Sequence, residues 1–490
     1  MRIKKTFLMA AVMAVGALEA LNGAPACRLG VGMECLDRDL WKHGPAMPHL
    51  KELGITRTRL QSGWARTEKV KGVYDFAWLD EIVDDLVKIG VEPWISLSYG
   101  NPIYAVAADG EQSYTGQKMF PLNSAEGTAA WKAYVRAIVS RYQDRVRVWE
   151  VWNEPDCLHF LKVPEGSSWA AEYARLARLT AAEVRGVQPS ARIAVCTASG
   201  PDGRERSCVE LFEQGVAEFA DIYTFHAYRA LPEGFSRQER DAFYGAIRRF
   251  APKIEFWRGE AGLSSQKSGR GALHHLPLSE EMQARWMSRH LVRDLADPEI
   301  AFTSYFHLFD FDHYSHEVTY HYGVLRDKDY SRKPSFGVLQ RIKRFFDDGL
   351  TKPDGTVSFA LEPVKNATSA DEAALAGAAV YAFRRNGHPM FAVTATWPTH
   401  EAMPTVKAKG RVFFGDSAGQ WRDPVLLDLL DGSVKRLALA KDWPKPVVRF
   451  DLANHIQVIT EAAALEPHIH LEPAASKSAA AVPSAQKTHE

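Results

Sequence analysis

The sequence has no net charge and no run of basic residues. Its 490 residues include 60 Lys and Arg against 60 Asp and Glu. Nucleic-acid-binding proteins usually carry a basic patch, so this balance argues against a nucleic-acid partner. No Gly-x-Gly-x-x-Gly or Walker pattern follows the first predicted strand, which argues against a nucleotide-binding fold. No cofactor is predicted.

Cysteine is also scarce, with five in the chain. Cys196 and Cys208 could form a local disulfide in an oxidising compartment, or both could be buried free thiols. The histidines from His307 to His321 show no ligand spacing on a helix or between paired strands. No metal site is therefore predicted.

A long apolar run occurs at the N-terminus, from Phe7 to about Leu21. It follows the basic start Met1–Lys5 and precedes Ala24-Pro25-Ala26. This pattern is typical of a secretory signal peptide. The run is short for a membrane span and is interrupted by Glu19. Residues 1–26 are therefore predicted to be a signal peptide, with no membrane span.

The protein is accordingly predicted to be exported, to the periplasm or the extracellular space. Cys27 directly follows the predicted signal peptide. A lipid anchor on this cysteine is an alternative, but the preceding residues lack the Leu that usually stands three positions before a lipidated cysteine.

From Leu29 to about Leu350, strand-like apolar runs alternate with longer helical patterns. The eight strand candidates are Gly30–Cys35, Thr56–Gly63, Glu92–Tyr99, Arg147–Asn153, Arg192–Thr197, Asp221–Tyr228, Lys253–Gly259 and Phe302–Phe309. The helix candidates are Trp78–Ile89, Thr128–Tyr142, Trp169–Val184, Ser279–Leu295 and Pro334–Phe346. Such alternation indicates a parallel sheet, and eight repeats favour a (β/α)₈ TIM barrel of the α/β class.

After the barrel, the hydrophobic pattern of the sequence changes to short alternating runs separated by turn residues, as in Ala379–Phe383 and Met390–Thr396. This predicts a small antiparallel β-sandwich over residues 351–465. The last segment, 466–490, is rich in Ala, Ser, Lys and Pro and is predicted to be disordered. The catalytic barrel is assigned to residues 27–350.

Two strands end in glutamates. Val148–Pro155 reads as a strand that stops in Asn-Glu-Pro, and Lys253–Gly262 contains a second such end. Glu154 would close strand four and Glu260 strand seven. Active sites of TIM barrels lie at the C-terminal ends of the strands, and glycosidic bonds are cleaved by paired carboxyl groups. Both glutamates are therefore predicted to be catalytic.

Three motifs resemble glycoside hydrolase clan A, the TIM-barrel retaining glycosidases. They are Trp152-Asn153-Glu154-Pro155, His226-x-Tyr228 and Trp257-x-Gly259-Glu260-x-Gly262. Within the clan, Leu53–Arg59 and Ser98–Pro102 are similar to family 39, the xylosidase and iduronidase group, and to related bacterial endo-acting enzymes.

The resemblance implies a role for individual residues. Glu154 would be the acid/base and Glu260 the nucleophile. Asn153 would hydrogen-bond the sugar 2-hydroxyl, and Tyr228 would contact the nucleophile. Arg59 would help to keep the nucleophile ionised.

Further substrate contacts are predicted from the strand ends and the motifs: His226, Trp257, Phe306, Tyr99 and Asn101. Phe306 stands where many clan members have a tryptophan, and Gln61 where family 39 often has histidine. Trp64, Trp94, Tyr99, Tyr104 and Trp257 could stack on sugars or pack in the core.

Strand parity leads to one more hypothesis. If alternation holds, Glu150, Trp152 and Glu154 share a face, and a buried Glu150 would need a partner. Arg258 would share the face of Glu260, and Arg57 that of Arg59. The hypothesis is a buried Glu–Arg network that holds Glu260 ionised.

These observations predict an exported retaining glycoside hydrolase that acts on an oligo- or polysaccharide by double displacement. One alternative is a transglycosylase with the same site. The other is a non-catalytic carbohydrate-binding protein on a degenerate barrel. The sugar, the linkage, exo or endo action and the oligomeric state are left open.

Overall fold

The structure is a computed structural model. It describes residues 28–104, 118–201, 205–234, 236–266, 272–273, 276, 278–315, 318–347, 350–351, 357–363, 368–397, 406–414, 421–440, 447–469 and 471. The predicted signal peptide (1–26), Cys27 and most of the predicted disordered tail lie outside the described residues.

Eight parallel strands form a closed barrel in the order β1 to β8. Their bounds are β1 Leu29–Gly32, β2 Arg57–Gln61, β3 Glu92–Leu97, β4 Val148–Val151, β5 Arg192–Thr197, β6 Ile222–Phe225, β7 Glu255–Ala261 and β8 Ile300–Tyr305. The first and last strands pair, with Val31 opposite Tyr305. The predicted TIM barrel is confirmed.

Helices connect the strands. Their bounds are α1 Met47–Leu53, α2 Trp64–Thr67, α3 Ala77–Lys88, α4 Ala125–Tyr142, α5 Trp169–Val187, α6 Glu205–Glu213, α7 Arg237–Arg248, α8 Glu280–Ala296, α9 Pro334–Ile342 and α10 Ser369–Ala376. Serine side chains cap four of them by accepting a backbone N–H in the first turn: Ser124, Ser168, Ser236 and Ser279. Such caps satisfy amide groups that a helix N-terminus otherwise leaves unpaired.

The barrel interior has an apolar layer and a polar layer. The apolar layer is made of Trp94, Val148, Ala194, Ile222, Trp257 and Phe302. These residues lie toward the N-terminal ends of the strands and close the barrel at that end. Arg59 and Glu150 lie further along their strands and form part of the polar layer. The polar layer therefore faces the end of the barrel at which active sites of this fold are found.

A second domain follows the barrel, with two antiparallel sheets in the orders β11-β13-β14-β20-β16-β17 and β12-β15-β19-β18. The strands are β11 Leu350–Thr351, β12 Val357–Pro363, β13 Ala378–Arg385, β14 His388–Ala395, β15 Val406–Phe414, β16 Pro424–Asp428, β17 Val434–Arg436, β18 Leu439–Ala440, β19 Val447–Leu452 and β20 Gln457–Glu461. A two-stranded hairpin, β9 Phe311–Ser315 and β10 Val318–Tyr320, precedes α9.

The two sheets share an apolar core that includes Phe391, Val406, Val448 and Ile459. This arrangement confirms the predicted antiparallel β-sandwich after the barrel. The domain boundaries at residues 350 and 465 stay predictions. The packed chain continues past 465, because the ring of His468 lies 5.9 Å from that of Phe345.

Helices α8 and α9 join the barrel to the sandwich. Arg289 Nη1 donates to the carbonyl oxygen of Trp397 at 2.6 Å, and Ser288 Oγ accepts from the backbone N–H of Ile456 at 3.1 Å. Arg341 Nε donates to the carbonyl oxygen of Leu429 at 2.9 Å. The sandwich therefore packs on the outside of the barrel, through the helices.

Candidate active site

The fold brings Glu154 and Glu260 together. Glu154 lies three residues beyond the end of β4, and Glu260 is the penultimate residue of β7. A carboxylate oxygen of each lies within 4.8 Å of the other. Both side chains are largely buried, 13% and 9% exposed, and they meet at the C-terminal end of the barrel.

The backbone at the end of β4 adopts an unusual conformation that aims Glu154. Trp152 has φ 65° and Glu154 has φ 47°, in the left-handed region that non-glycine residues rarely adopt. Each such residue costs about 1–3 kcal/mol, and such strain clusters at functional sites. Alternation is broken here, so Trp152 turns away and packs against Trp131 of α4, with ring centroids 6.1 Å apart. The prediction that Trp152 shares a face with Glu150 and Glu154 was wrong.

Arg59 organises the floor of the site. Its Nε donates to Glu150 Oε1 at 3.1 Å, its Nη2 donates to Asn153 Oδ1 at 2.9 Å, and its Nη1 is ion-paired with Glu260. Nη1 also lies 3.4 Å from Glu34 Oε1. Burial alone would lower the pKa of Arg59, but the surrounding carboxylates raise it well above its ordinary value. A permanent cation therefore faces Glu260.

The predicted Glu–Arg network is confirmed for Arg59 and Glu150, both fully buried. The contributions predicted for Arg258 and Arg57 were wrong. The pairing of β7 with β8 shifts between Arg258 and Ala261, so strict alternation fails there. Arg258 consequently points outward and pairs with Asp294 of α8 at 2.6 Å. Arg57 lies at the other end of β2 and pairs with Glu92.

His226 follows β6 and stands between the two glutamates. Its Nδ1 is 2.9 Å from Glu154 Oε1 and 3.6 Å from Glu260 Oε1. Its Nε2 is 3.5 Å from Cys196 Sγ, at the end of β5. Burial lowers the pKa of His226. A neutral imidazole therefore faces the acid/base candidate.

Burial raises the pKa of Glu154 to about 8, with a further contribution from the like charge of Asp156. Asp156 is held nearby because its carboxylate accepts the backbone N–H groups of Ala198 and Ser199 at 2.6 and 3.0 Å. A carboxyl group with this pKa is protonated at neutral pH. That is the state required of a general acid.

Tyr228 lies on the other side of Glu260. Its hydroxyl donates to Glu260 Oε2 at 3.1 Å, while Arg59 binds Oε1. Burial raises the pKa of Tyr228 well above its ordinary value, so it stays a donor. Each oxygen of Glu260 thus has its own hydrogen-bond donor.

Tyr99 orients Asn153 from below. The Tyr99 hydroxyl accepts from Asn153 Nδ2 at 2.9 Å and from Gln61 Nε2 at 3.4 Å. The ring is 1% exposed and stacks on Phe160 at 6.0 Å. The prediction of a direct substrate contact by Tyr99 is therefore corrected to a supporting role behind Asn153.

Asn101 was also predicted to contact substrate, and the structure corrects this. It is 1% exposed; its Nδ2 donates to the carbonyl oxygen of Glu68 at 2.8 Å, and its Oδ1 accepts the backbone N–H of Ile103 at 3.1 Å. Both ends of the amide are used to hold the loop after β3.

Trp257 lies in the apolar layer and not in the site. Its ring centroid is 5.4 Å from that of Trp94 and 4.9 Å from that of Phe302, and it is 1% exposed. Its Nε1 donates to Glu255 Oε2, at the start of β7. A strand rises about 3.3 Å per residue, so three residues place Trp257 about 10 Å below Glu260. The predicted contact of Trp257 with substrate was wrong.

Of two further aromatic candidates, one packs in the core and the other lies at the site. Trp64 is fully buried and stacks on Tyr104 and Tyr134 at 5.5 and 5.4 Å. Trp64 therefore packs in the core. Phe306 directly follows β8, and its ring makes an edge contact with Tyr322 at 5.5 Å, which in turn contacts Tyr228 at 6.1 Å. Phe306 thus lines the same end of the barrel as Glu260.

Two residues of the site were missed from the sequence. Glu34 follows β1, is 1% exposed and shares Arg59 with Glu260. Burial, then the charge of Glu260, raises the pKa of Glu34 to about 8. Its signal was a carboxylate within an apolar strand. The second is Cys196, predicted to be either half of a disulfide with Cys208 or a buried thiol; both cysteines are buried and no disulfide joins them.

Two groups of donor atoms could hold a metal ion among the described residues: Glu154, His226 and Glu260, and Glu150, Cys196 and His226. Arg59 already neutralises carboxylates in both groups. His307, from the histidine-rich segment, hydrogen-bonds backbone oxygens of Phe309 and Glu34 at 2.9 and 3.0 Å. His316 and the side chain of His313 lie outside the described residues.

In the described part of the chain, no helix is long and apolar enough to cross a membrane.

Residues 53–234 match the family model for glycosyl hydrolases, family 39. This segment contains Glu154, His226 and Tyr228 and ends before Glu260. The chain is 30% identical over 149 residues to a β-galactosidase of Clostridium cellulovorans, covering 27% of this chain and 22% of that one. It is 28% identical over 144 residues to a β-xylosidase of Geobacillus stearothermophilus, covering 27% and 26%. The matches thus span about a quarter of these curated relatives.

Solved structures share the fold. A family 39 glycoside hydrolase from the gut symbiont Bacteroides cellulosilyticus WH2 aligns with a TM-score of 0.61 and 17% identity over 89% of this chain and 81% of that one. A GH30 endoxylanase from Clostridium papyrosolvens C71 aligns with a TM-score of 0.56 and 13% identity over 90% and 98%.

The fold and the matched sequence together confirm the predicted resemblance to the clan A glycoside hydrolases. Within that clan, the match is to family 39. The names of the relatives support the predicted enzyme class, glycoside hydrolase.

Proposed function

We propose that the protein is an exported retaining glycoside hydrolase in which Glu154 is the acid/base and Glu260 the nucleophile. The observation that carries the proposal is the pairing of two glutamates with unlike surroundings. Their oxygens lie within 4.8 Å of each other. Glu154 has a raised pKa, whereas Glu260 is ion-paired with Arg59. One carboxyl is thus suited to give a proton and the other to attack.

In the first step, Glu260 attacks the anomeric carbon while Glu154 protonates the leaving oxygen. A glycosyl ester forms on Glu260, and the bond to the leaving group breaks. Arg59 and Tyr228 each bind one oxygen of Glu260 and fix its orientation. Asn153, held by Arg59 and Tyr99, is placed to bind the sugar 2-hydroxyl.

In the second step, the now ionised Glu154 takes a proton from a water molecule as that water attacks the anomeric carbon, and the bond from this carbon to Glu260 breaks. Retaining enzymes hold their carboxyl groups about 5–5.5 Å apart, and inverting enzymes about 6.5–9.5 Å, to leave room for a water. The close approach of Glu154 and Glu260 supports the retaining route.

The substrate class is an oligo- or polysaccharide. The relatives named β-galactosidase and β-xylosidase make β-galactosides and β-xylosides the first substrates to try. The enclosing loops set exo or endo action, and part of the loop after β3 lies outside the described residues.

The test is sugar release from aryl β-glycosides and from plant, host and bacterial polysaccharides. Glu260→Gln is run beside the wild type, with Glu255→Gln as a matched control at the far end of β7. Release by wild type and Glu255→Gln, but not by Glu260→Gln, is expected. Release by all three overturns the nucleophile assignment.

The same assay separates the alternatives. Transfer of the sugar to an added oligosaccharide instead of to water would identify a transglycosylase. Polysaccharide binding without turnover would identify a binding protein. Export is tested by mass spectrometry of the mature N-terminus, which is expected at or near Cys27; a chain that retains Met1–Lys5 overturns export.

A further inference from the structure

The two ring nitrogens of His226 face different partners. Nδ1 is 2.9 Å from Glu154 Oε1, and Nε2 is 3.5 Å from Cys196 Sγ. All three side chains are buried or nearly so. A neutral imidazole carries its single proton on one nitrogen only, and the partner of the other nitrogen decides which.

The surroundings of Cys196 favour a thiol that donates. The backbone N–H of Glu154 lies toward the sulfur, and the thiol remains protonated because burial raises its pKa. The Thr224 hydroxyl also hydrogen-bonds the sulfur, besides donating to Glu150 Oε2 at 2.9 Å. The S–H group thus remains available for the nitrogen it faces, since a thiol is both a weak donor and a weak acceptor.

The position of Cys196 is set independently of its sulfur. Its backbone N–H donates to the Tyr173 hydroxyl at 2.9 Å, and Tyr173 donates to the carbonyl oxygen of Val151 at 2.6 Å. This chain of hydrogen bonds links β5 to the end of β4, from which Glu154 projects. Small substitutions at Cys196 should therefore leave the backbone of the site in place.

We propose that Cys196 is a positioning residue that fixes the tautomer of His226. Its S–H donates to Nε2, so the imidazole proton resides on Nδ1 and is donated to Glu154 Oε1. The proton that Glu154 transfers is thereby confined to its other oxygen, Oε2. This inference rests on the proposed role of Glu154 as the acid/base.

The fixed tautomer suits both chemical steps. In the first, Nδ1–H donates to the carbonyl-type oxygen of a protonated Glu154 while Oε2–H is given to the leaving group. In the second, the same N–H stabilises the ionised carboxylate until it takes a proton from water. The opposite tautomer would place a nitrogen lone pair against that carboxylate. Atoms and protons balance in both steps, because Cys196 and His226 each keep their own proton.

The direct test is ¹⁵N NMR of histidine-labelled protein, because the shifts of the two ring nitrogens identify the protonated one. The wild type and Cys196→Ser are expected to show His226 protonated at Nδ1. Cys196→Ala is expected to lose this preference. Cys208→Ala, at a buried thiol on α6, is the matched control and should match the wild type. A proton on Nε2 in the wild type, or an unchanged tautomer in Cys196→Ala, overturns the inference.

Kinetics supply a second test that a merely structural role would not satisfy. Cys196→Ala should lower kcat/KM by about tenfold or more on poor leaving groups, a fraction of the ~10²–10⁴-fold that acid catalysis supplies. It should change activated aryl glycosides little, and Cys196→Ser should restore activity. Equal losses on both substrate types overturn the inference. The NMR test needs no turnover, so it decides the tautomer of His226 even if the wild type is inactive. An inactive wild type would instead count against the proposed function.

Discussion

Arg59 forms an ion pair with Glu260, although the two residues are 201 positions apart in the chain. The same guanidinium binds Glu150, which lies deeper in the barrel. One cation therefore neutralises a structural carboxylate and the candidate nucleophile together. Its rigid fork of donors allows this, whereas a lysine ammonium could not bind several carboxylates in fixed directions.

Breaking this buried pair should destabilise the fold. Glu150→Ala leaves part of the Arg59 charge uncompensated in a fully buried position, and such losses cost about 3–5 kcal/mol. Glu92→Ala removes the partner of Arg57 at the N-terminal ends of β2 and β3, where the side chains are 28% and 23% exposed. That control should cost about 1 kcal/mol or less. Urea denaturation measures both, and equal costs would contradict the assigned role of Arg59 and Glu150.

Removing the acid should affect substrates unequally. Glu154→Gln is expected to lose about 10²–10⁴-fold in kcat/KM on substrates with poor leaving groups, where protonation is essential. Activated aryl glycosides should react in the first step at close to the wild-type rate, and added azide should then replace the missing base. Steady-state kinetics on both substrate types, with azide as the rescue, measures this. A uniform loss without rescue would refute the acid/base assignment.

The pH profile should follow the raised pKa of Glu154. The group gives a proton only in its protonated form, so kcat/KM on poor leaving groups should fall as the pH rises through about 8. The kcat/KM of activated substrates should not show this alkaline limb, that is, the fall as the pH rises through about 8. Glu34→Gln should retain it, because Glu34 does not transfer the proton. A limb near the ordinary glutamate pKa of 4.5 would contradict the burial of Glu154.

Glu34 should make stability depend on pH. Burial raises its pKa from 4.5 to about 8, so between these values the unfolded chain has released a proton that the folded chain keeps. Stability from this group is therefore complete below pH 4.5 and declines as the pH rises to about 8, by about 1.4 kcal/mol per pH unit. Glu34→Gln has no such proton, so its stability relative to wild type should improve over this window. Denaturation at pH 5 and pH 8 measures the difference, and a difference that does not change contradicts the assignment.

The sequence was sufficient to predict the barrel and the strand-end positions of the two glutamates, because the periodic pattern and the strand-end motifs are local signals. Arg59 and Glu150 could also be paired in advance, since regular alternation holds along β2 and the start of β4. The failures occur where regular geometry ends. The shifted pairing of β7 turned Arg258 outward, and the positive φ of Trp152 moved its ring to the helix layer.

Other residues could not be assigned without tertiary contacts. The role proposed for Cys196 depends on its contact with His226, which lies 30 residues away, directly after the next strand. The place of Glu34 in the site depends on its contact with Arg59, which lies 25 residues away in the chain. Trp257 illustrates the opposite error: its nearness to Glu260 in sequence suggested a shared site, yet the rise of an extended strand separates them.

Glu260 is expected to form a covalent bond with the sugar, while Glu154 first donates and then accepts the proton. The most direct test uses the 2-deoxy-2-fluoro aryl glycoside of whichever sugar the wild type releases, followed by proteolysis and mass spectrometry of the labelled peptide. One glycosyl group per chain is expected, attached to Glu260 and released slowly to water or to an added acceptor. A label on Glu154, Glu34 or Glu150, or turnover with inversion and no covalent adduct, would contradict it.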